Sequence, residues 1–157
     1  MPTTTSTFRI ETISTNDLEH ARRTGADAFG TPVERLPDPT GEPLRCCLRN
    51  AHAGEDVILF GYDPPLPSSP YREVGAVLAH AQPCPGPDTL TAYPEGWRGR
   101  PQVLRAYDSR GWIRAARVHD GSDPESVIAE MLDDPEVVQI HSRNVAYGCY
   151  MFTVTRV

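Results

Sequence analysis

The stretch Pro70-Tyr-Arg-Glu-Val-Gly-Ala-Val-Leu-Ala-His-Ala-Gln-Pro-Cys84 constrains the chain most, because it sets an apolar run of strand length between two prolines. Residues 74–81 include β-branched Val74 and Val77 and are closed by Pro83, so they read as a buried strand. Alternation puts Arg72, Val74, Ala76, Leu78 and His80 on one face, and Tyr71, Glu73, Gly75, Val77 and Ala79 on the other. At about 3.3 Å per residue, Arg72 and His80 would stand about 26 Å apart. The segment therefore predicts two separate candidate sites, a Tyr71/Arg72/Glu73 cluster at its entrance and a His80/Cys84 pair at its exit.

The rest of the chain is organised around that strand. Residues 7–13 alternate well enough for an opening strand, with Phe8, Ile10 and Thr12 on one face. Asn16-x-x-Glu19 is a capping-box pattern, and Leu18, Ala21, Ala28 and Phe29 share a helical face. The spacing predicts a helix over 17–28, ended by Gly30. Residues 31–43 hold four prolines and make an irregular connection. Residues 44–49 alternate like a strand, and with 57–62 they predict a hairpin with one arginine-bearing face. A second Pro/Gly-rich connection, 83–101, carries Tyr93 and Trp97, which would cover a site as a lid or pack on the edge of the core.

Residues 103–107 and 112–118 bracket Asp108-Ser-Arg-Gly111, a hairpin turn. Ser122-Asp-Pro-Glu125 caps a helix reaching about Leu132, and 137–143 with 148–157 predict a closing hairpin across residues 144–147. The expectation is an α+β fold with a mostly antiparallel sheet of about seven or eight hairpin-built strands and two helices. At 157 residues one globular domain, 1–157, is expected, burying roughly 70% of its unfolded surface.

Composition removes several chemistries. All fifteen basic residues are arginines, so there is no lysine for a Schiff base, for pyridoxal phosphate or for a phosphate loop. Dinucleotide, hydrolase-elbow and zincin motifs are absent as well. A net charge of −6 with scattered arginines argues against nucleic acid. No apolar run approaches the ~20 residues of a membrane span, and the first residues show no export signal, so the cytoplasm is the expected location. Four cysteines, Cys46, Cys47, Cys84 and Cys149, are then expected as reduced thiols.

Four motifs in order resemble a known family. Pro43-x-Arg45-x-x-Leu48 with Gly54-Glu55, Ser69-Pro70-Tyr71-Arg72, Leu104-Arg105-Ala106-Tyr107-Asp108, and Asn144 with Gly148-Cys149 look like the uncharacterised bacterial family called domain of unknown function 1203. The likeness spans residues 43–149. It implies a small stand-alone protein of soil bacteria and no particular activity. A cysteine usual in that family after the first proline is Leu44 here.

Three constellations carry candidate chemistry. Arg45, Arg72 and Arg105, with Tyr71, Tyr107, Glu73, Arg143 and Asn144, would line a pocket for an anionic small molecule, since guanidinium grips carboxylate or phosphate in pairs. Glu73 and Tyr71 would then move a proton in cofactor-free isomerisation, cyclisation or elimination, with His80 or His141 as reserve bases. The alternative for these arginines is pairing with internal acids. Second, His80 and Cys84 with one or two of Cys46, Cys47 and Cys149 have feasible zinc-ligand spacing, against which stand small buried thiols and a packed histidine. Third, Cys149 is a candidate nucleophile if a register shift brings it to His141. The expected function is binding of an anionic metabolite, with acid/base catalysis and no cofactor. The alternative is a non-catalytic binding or interaction module, stapled by zinc; a homo-oligomer is compatible with either.

Overall fold

The computed structural model describes residues 7–157. The stretch read above for an export signal begins in residues 1–6, which lie outside the described residues. In chain order the elements are β1 (Phe8–Glu11), α1 (Thr15–Thr24), β2 (Glu34–Arg35), β3 (Pro43–Leu44), β4 (Arg49–Asn50), β5 (Val57–Tyr62) and β6 (Gly75–His80). A 3-10 turn at Glu95–Trp97 follows, then β7 (Gln102–Tyr107), β8 (Ile113–His119), α2 (Pro124–Leu132), β9 (Gln139–Arg143) and β10 (Tyr150–Arg156).

The fold is α+β with two α-helices among the described residues, as expected, but the ten strands there form two sheets rather than one. The first, β1-β10-β9-β7-β8, is antiparallel throughout. The second, β2-β5-β6-β3-β4, is mixed, because β3 runs parallel to β6 with Leu44 opposite Leu78. Each sheet has its own apolar core. Phe60, Val77 and Leu44 pack with Leu18 of α1, whereas Phe152, Leu104 and Ile140 pack with Ile128 of α2. No helix among the described residues is long and apolar enough to cross a membrane.

The hairpin expected over 44–62 forms differently. Its first arm is a turn: Leu48 takes a left-handed φ of 57°, its amide donates to the Leu44 carbonyl at 2.9 Å, and β3 folds back on β4. Residues 45–48 thus leave the sheet plane as a buried knuckle beside the end of β6. Helix α1 is shifted too. Ser14 caps it through Asp17 N, and Gly25, at φ 72°, ends it by donating to the Ala21 carbonyl. The glycine that weakens a helix interior is the residue best suited to terminate one.

The 83–101 connection folds inward. Tyr93 and Trp97 are fully buried, and the Trp97 ring stacks on Phe152 while its Nε1 donates to Asn50 Oδ1 at 2.8 Å. Packing on the core, rather than a lid, describes these two aromatics.

Candidate functional site

Sulfur and imidazole meet at the end of β6. The 45–48 turn delivers Cys46 and Cys47, the last residue of β6 is His80, and the chain just beyond it returns Cys84, so that the four donor atoms lie within 4.8 Å of one another. His80 Nδ1 is 3.3 Å from Cys46 Sγ and 3.8 Å from Cys47 Sγ, and the two sulfurs are 3.9 Å apart. Arg22 of α1 fixes the strand exit by donating to the His80 and Gln82 carbonyls. On the other side of the ring, His80 Nε2 faces Glu55 Oε1 at 3.2 Å. Glu55 is in turn gripped by both Arg49 Nη atoms and by the His52 amide. That grip holds the Glu55 carboxyl well below the usual range, chiefly through Arg49.

The thiols are unequal. Contact with Cys47, then burial, pushes the Cys46 thiol up, while the same contact lowers Cys47. Burial raises Cys84, against the pull of the Gly86 amide. The cluster could bind a metal. Of the expected ligands Cys47, His80 and Cys84 are in it, Cys46 belongs with them, and Cys149 does not.

A second feature is a cavity of about 490 Å³ between the sheets. Leu59, Ala76 and Leu78 line it from the mixed sheet, Gln102 and Met151 from the other, and Trp97 with Arg100 from the connection. Arg45 reaches its wall although only 2% exposed. Its Nε donates to the Tyr150 carbonyl at 2.7 Å and its Nη1 to the Pro43 carbonyl; among the described residues Nη2 has no hydrogen-bond partner and no carboxylate pairs with the group. Burial lowers its pKa to about 10, with Cys149 and Glu42 pulling the other way, so it is charged at neutral pH. Exposed Arg100 and Glu42 also line the cavity, and neither makes an ion pair among the described residues.

The structure distributes the remaining candidates. Arg45 and Asn144 share the inter-sheet cavity, but Arg72 lies elsewhere, paired with Asp63, and Arg105 pairs with Glu73 at 3.4 Å. The three arginines expected in one pocket do not converge, because two meet internal acids at strand ends. Glu73 also holds Arg143 at 3.1 Å, and Tyr71, Glu73, Tyr107, His141 and Arg143 surround a gap without measurable volume. Tyr107 Oη and Arg143 Nε are buried there without hydrogen-bond partners among the described residues.

Cys149 and His141 stay apart. The hairpin register sets Tyr150 opposite Arg143 and Thr153 opposite His141, with an irregularity between Tyr150 and Phe152. The irregularity does not bring Cys149 to His141, because the turn runs from Asn144 to Cys149, closed by Asn144 N to Cys149 O at 2.9 Å. Cys149 therefore lines the inter-sheet cavity, with its Sγ donating to the Tyr147 carbonyl at 3.8 Å.

His141 is packed between Tyr107 and Tyr150, with Nε2 on Gln139 Oε1 at 2.9 Å. Burial first, then the Arg143 charge, lowers its pKa to about 3, against a smaller pull from the Pro65 backbone. So weak a base is poorly suited to proton transfer at neutral pH. Its effect is on stability. Above the unfolded value of about 6.5 both states are neutral; as pH falls below it, only the unfolded chain gains a proton, at about 1.4 kcal/mol per pH unit, levelling off below about 3. Urea unfolding at pH 7 and pH 5 should show the native protein losing about 2 kcal/mol more than His141→Phe. Parallel losses would mean that the ring is not held neutral.

These features define an α+β protein of two five-stranded sheets, with a thiol–imidazole cluster at one strand end and an arginine-lined cavity between the sheets. The model of the family described as "Protein of unknown function (DUF1203)" matches residues 41–156, and the chain belongs to that family. The match begins just before β3 and ends with β10, so it takes in both features. No curated protein and no solved structure matches the chain.

Three residues of these features had no place among the expected ligands. The pair Arg49 and Glu55 carried a signal in their spacing around one turn. Arg100 carried none, since nothing local places it over a cavity.

Proposed function

We propose that the protein binds a small anionic molecule, a carboxylate or phosphate with an apolar body, in the inter-sheet cavity. The observation that carries this is Arg45 on the cavity wall, a deeply buried cation that among the described residues has no carboxylate partner and no acceptor for its Nη2. Burying an unpaired charge is costly, and an anion arriving from solvent would supply the partner. Arg100 at the cavity edge and the amides of Asn144 and Gln102 would add donors, while Leu78, Met151 and Trp97 would hold the apolar part. Acid/base chemistry by Glu73 and Tyr71 finds less support, because their gap has no room and Glu73 is engaged by two arginines. A second proposal, a non-catalytic module stapled by zinc, draws on the Cys46/Cys47/His80/Cys84 cluster and is compatible with the first.

Thermal-shift screening against carboxylate and phosphate metabolites, followed by calorimetry, tests the cavity. A hit should bind about 10- to 100-fold more weakly to Arg45→Met, the worth of one hydrogen bond to a charged group. Arg100→Ala, at an exposed position that should not disturb folding, should weaken it about tenfold, and Arg72→Ala should leave it unchanged. A hit insensitive to both Arg45→Met and Arg100→Ala would remove the assignment.

A further inference from the structure

We propose that Cys46, Cys47, Cys84 and His80 form a closed tetrahedral zinc centre. This rests on the zinc-stapled reading and gives it a ligand set, an outer shell and a role. With Zn–S near 2.3 Å and Zn–N near 2.05 Å, tetrahedral angles set edges of about 3.8 Å between sulfurs and about 3.6 Å between sulfur and nitrogen. The observed edges are 3.9 Å for Cys46 to Cys47, and 3.3 and 3.8 Å from His80 Nδ1 to those sulfurs. These three edges match those of a coordination shell, and Cys84 Sγ completes a set of four donors within 4.8 Å of one another.

The surroundings of the ligands fit the same chemistry. Glu55 on Nε2 would keep the imidazole proton on that nitrogen and turn the Nδ1 lone pair toward the sulfurs, the carboxylate–histidine–metal order that orients ligating imidazoles. Arg49 and the His52 amide hold Glu55 in place. The His80 amide donates to Cys46 Sγ at 3.3 Å, and the amides of Arg49 and Gly86 act on Cys47 and Cys84, each two residues before them. Three thiolates and one imidazole suit zinc and leave no coordination position open, so the centre is structural. As each Zn–S bond forms, the thiol proton leaves to solvent.

The full-length protein, kept reduced, stripped with a chelator and titrated with cobalt and then zinc, tests this. One equivalent of cobalt should give the visible bands of a tetrahedral thiolate site, and zinc should bleach them. Cys84→Ser should lower the charge-transfer intensity by about a third, one sulfur of three. Glu55→Gln should weaken zinc about 10- to 100-fold, and Cys149→Ser should change nothing. A measurement free of variants uses partly exposed Cys84: zinc should protect it from alkylation while Cys149 reacts equally with and without metal. Absence of both cobalt bands and zinc uptake would overturn the centre and the zinc-stapled reading together. Uptake that survives Cys84→Ser but fails in Cys149→Ser would overturn this ligand set alone.

Discussion

Gly121→Ala should destabilise the protein by about 3 kcal/mol or more in urea unfolding. Gly121 follows β8 at φ +84°, and a Cβ there would stand 2.3 Å from the Arg100 amide nitrogen, 2.5 Å from the Arg100 carbonyl oxygen and 2.8 Å from the Gly99 carbonyl carbon. The left-handed backbone alone costs roughly 1–2 kcal/mol with a side chain. The obstacle is main chain, which cannot rotate aside, and overpacking adds a further 1–3 kcal/mol, roughly. Gly30→Ala is the control, with φ +83° and nothing within 4 Å, so it isolates the conformational part. Arg100, Pro101 and Gln102 line the cavity, so displacing this segment should also weaken any ligand found there. A Gly121→Ala protein no less stable than Gly30→Ala would show that the two chain segments are not in contact.

Phe152→Ala should cost about 3–5 kcal/mol, the range for emptying a large buried aromatic site. Phe152 is fully buried in β10, stacked on Trp97 with centroids 6.1 Å apart and meeting Tyr93 edge-on at 5.6 Å. Trp97, stacked on it, is held in place by its bond to Asn50, which ties the first sheet's core to β4. In a chain of 157 residues that loss should lower Tm by roughly 10 °C. Trp97 emission should shift to the red, over a constant background from half-exposed Trp112. A loss below about 1 kcal/mol would mean that this core repacks freely.

Local pattern made much of the fold legible. The apolar run ending at His80 is β6, the Asp108 turn joins β7 to β8, and Asp123 caps α2 through Ser126. Pattern failed where two conformations share it. Leu44-Arg-Cys-Cys-Leu-Arg49 alternates like a strand, yet a left-handed Leu48 turns it into the knuckle that carries Cys46 and Cys47. The parallel β3–β6 pair depends on contacts far apart in the chain, which no local window contains. The candidate site divided likewise. His80 and Cys84 are neighbours in sequence and were visible, whereas choosing Cys46 over Cys149 requires the strand order. For the three arginines expected in one pocket the sequence showed charge but not partners: Asp63 and Glu73 satisfy Arg72 and Arg105, and Arg45 has no acid paired to it among the described residues.

One peptide bond separates Arg45, on the wall of the cavity, from Cys46 in the sulfur cluster. The tight turn at 45–48 has little slack to absorb motion between them. Its main chain is the short path between the two, so a shift at the sulfurs should be passed to the base of the guanidinium, and tension at the guanidinium should be felt at the sulfurs.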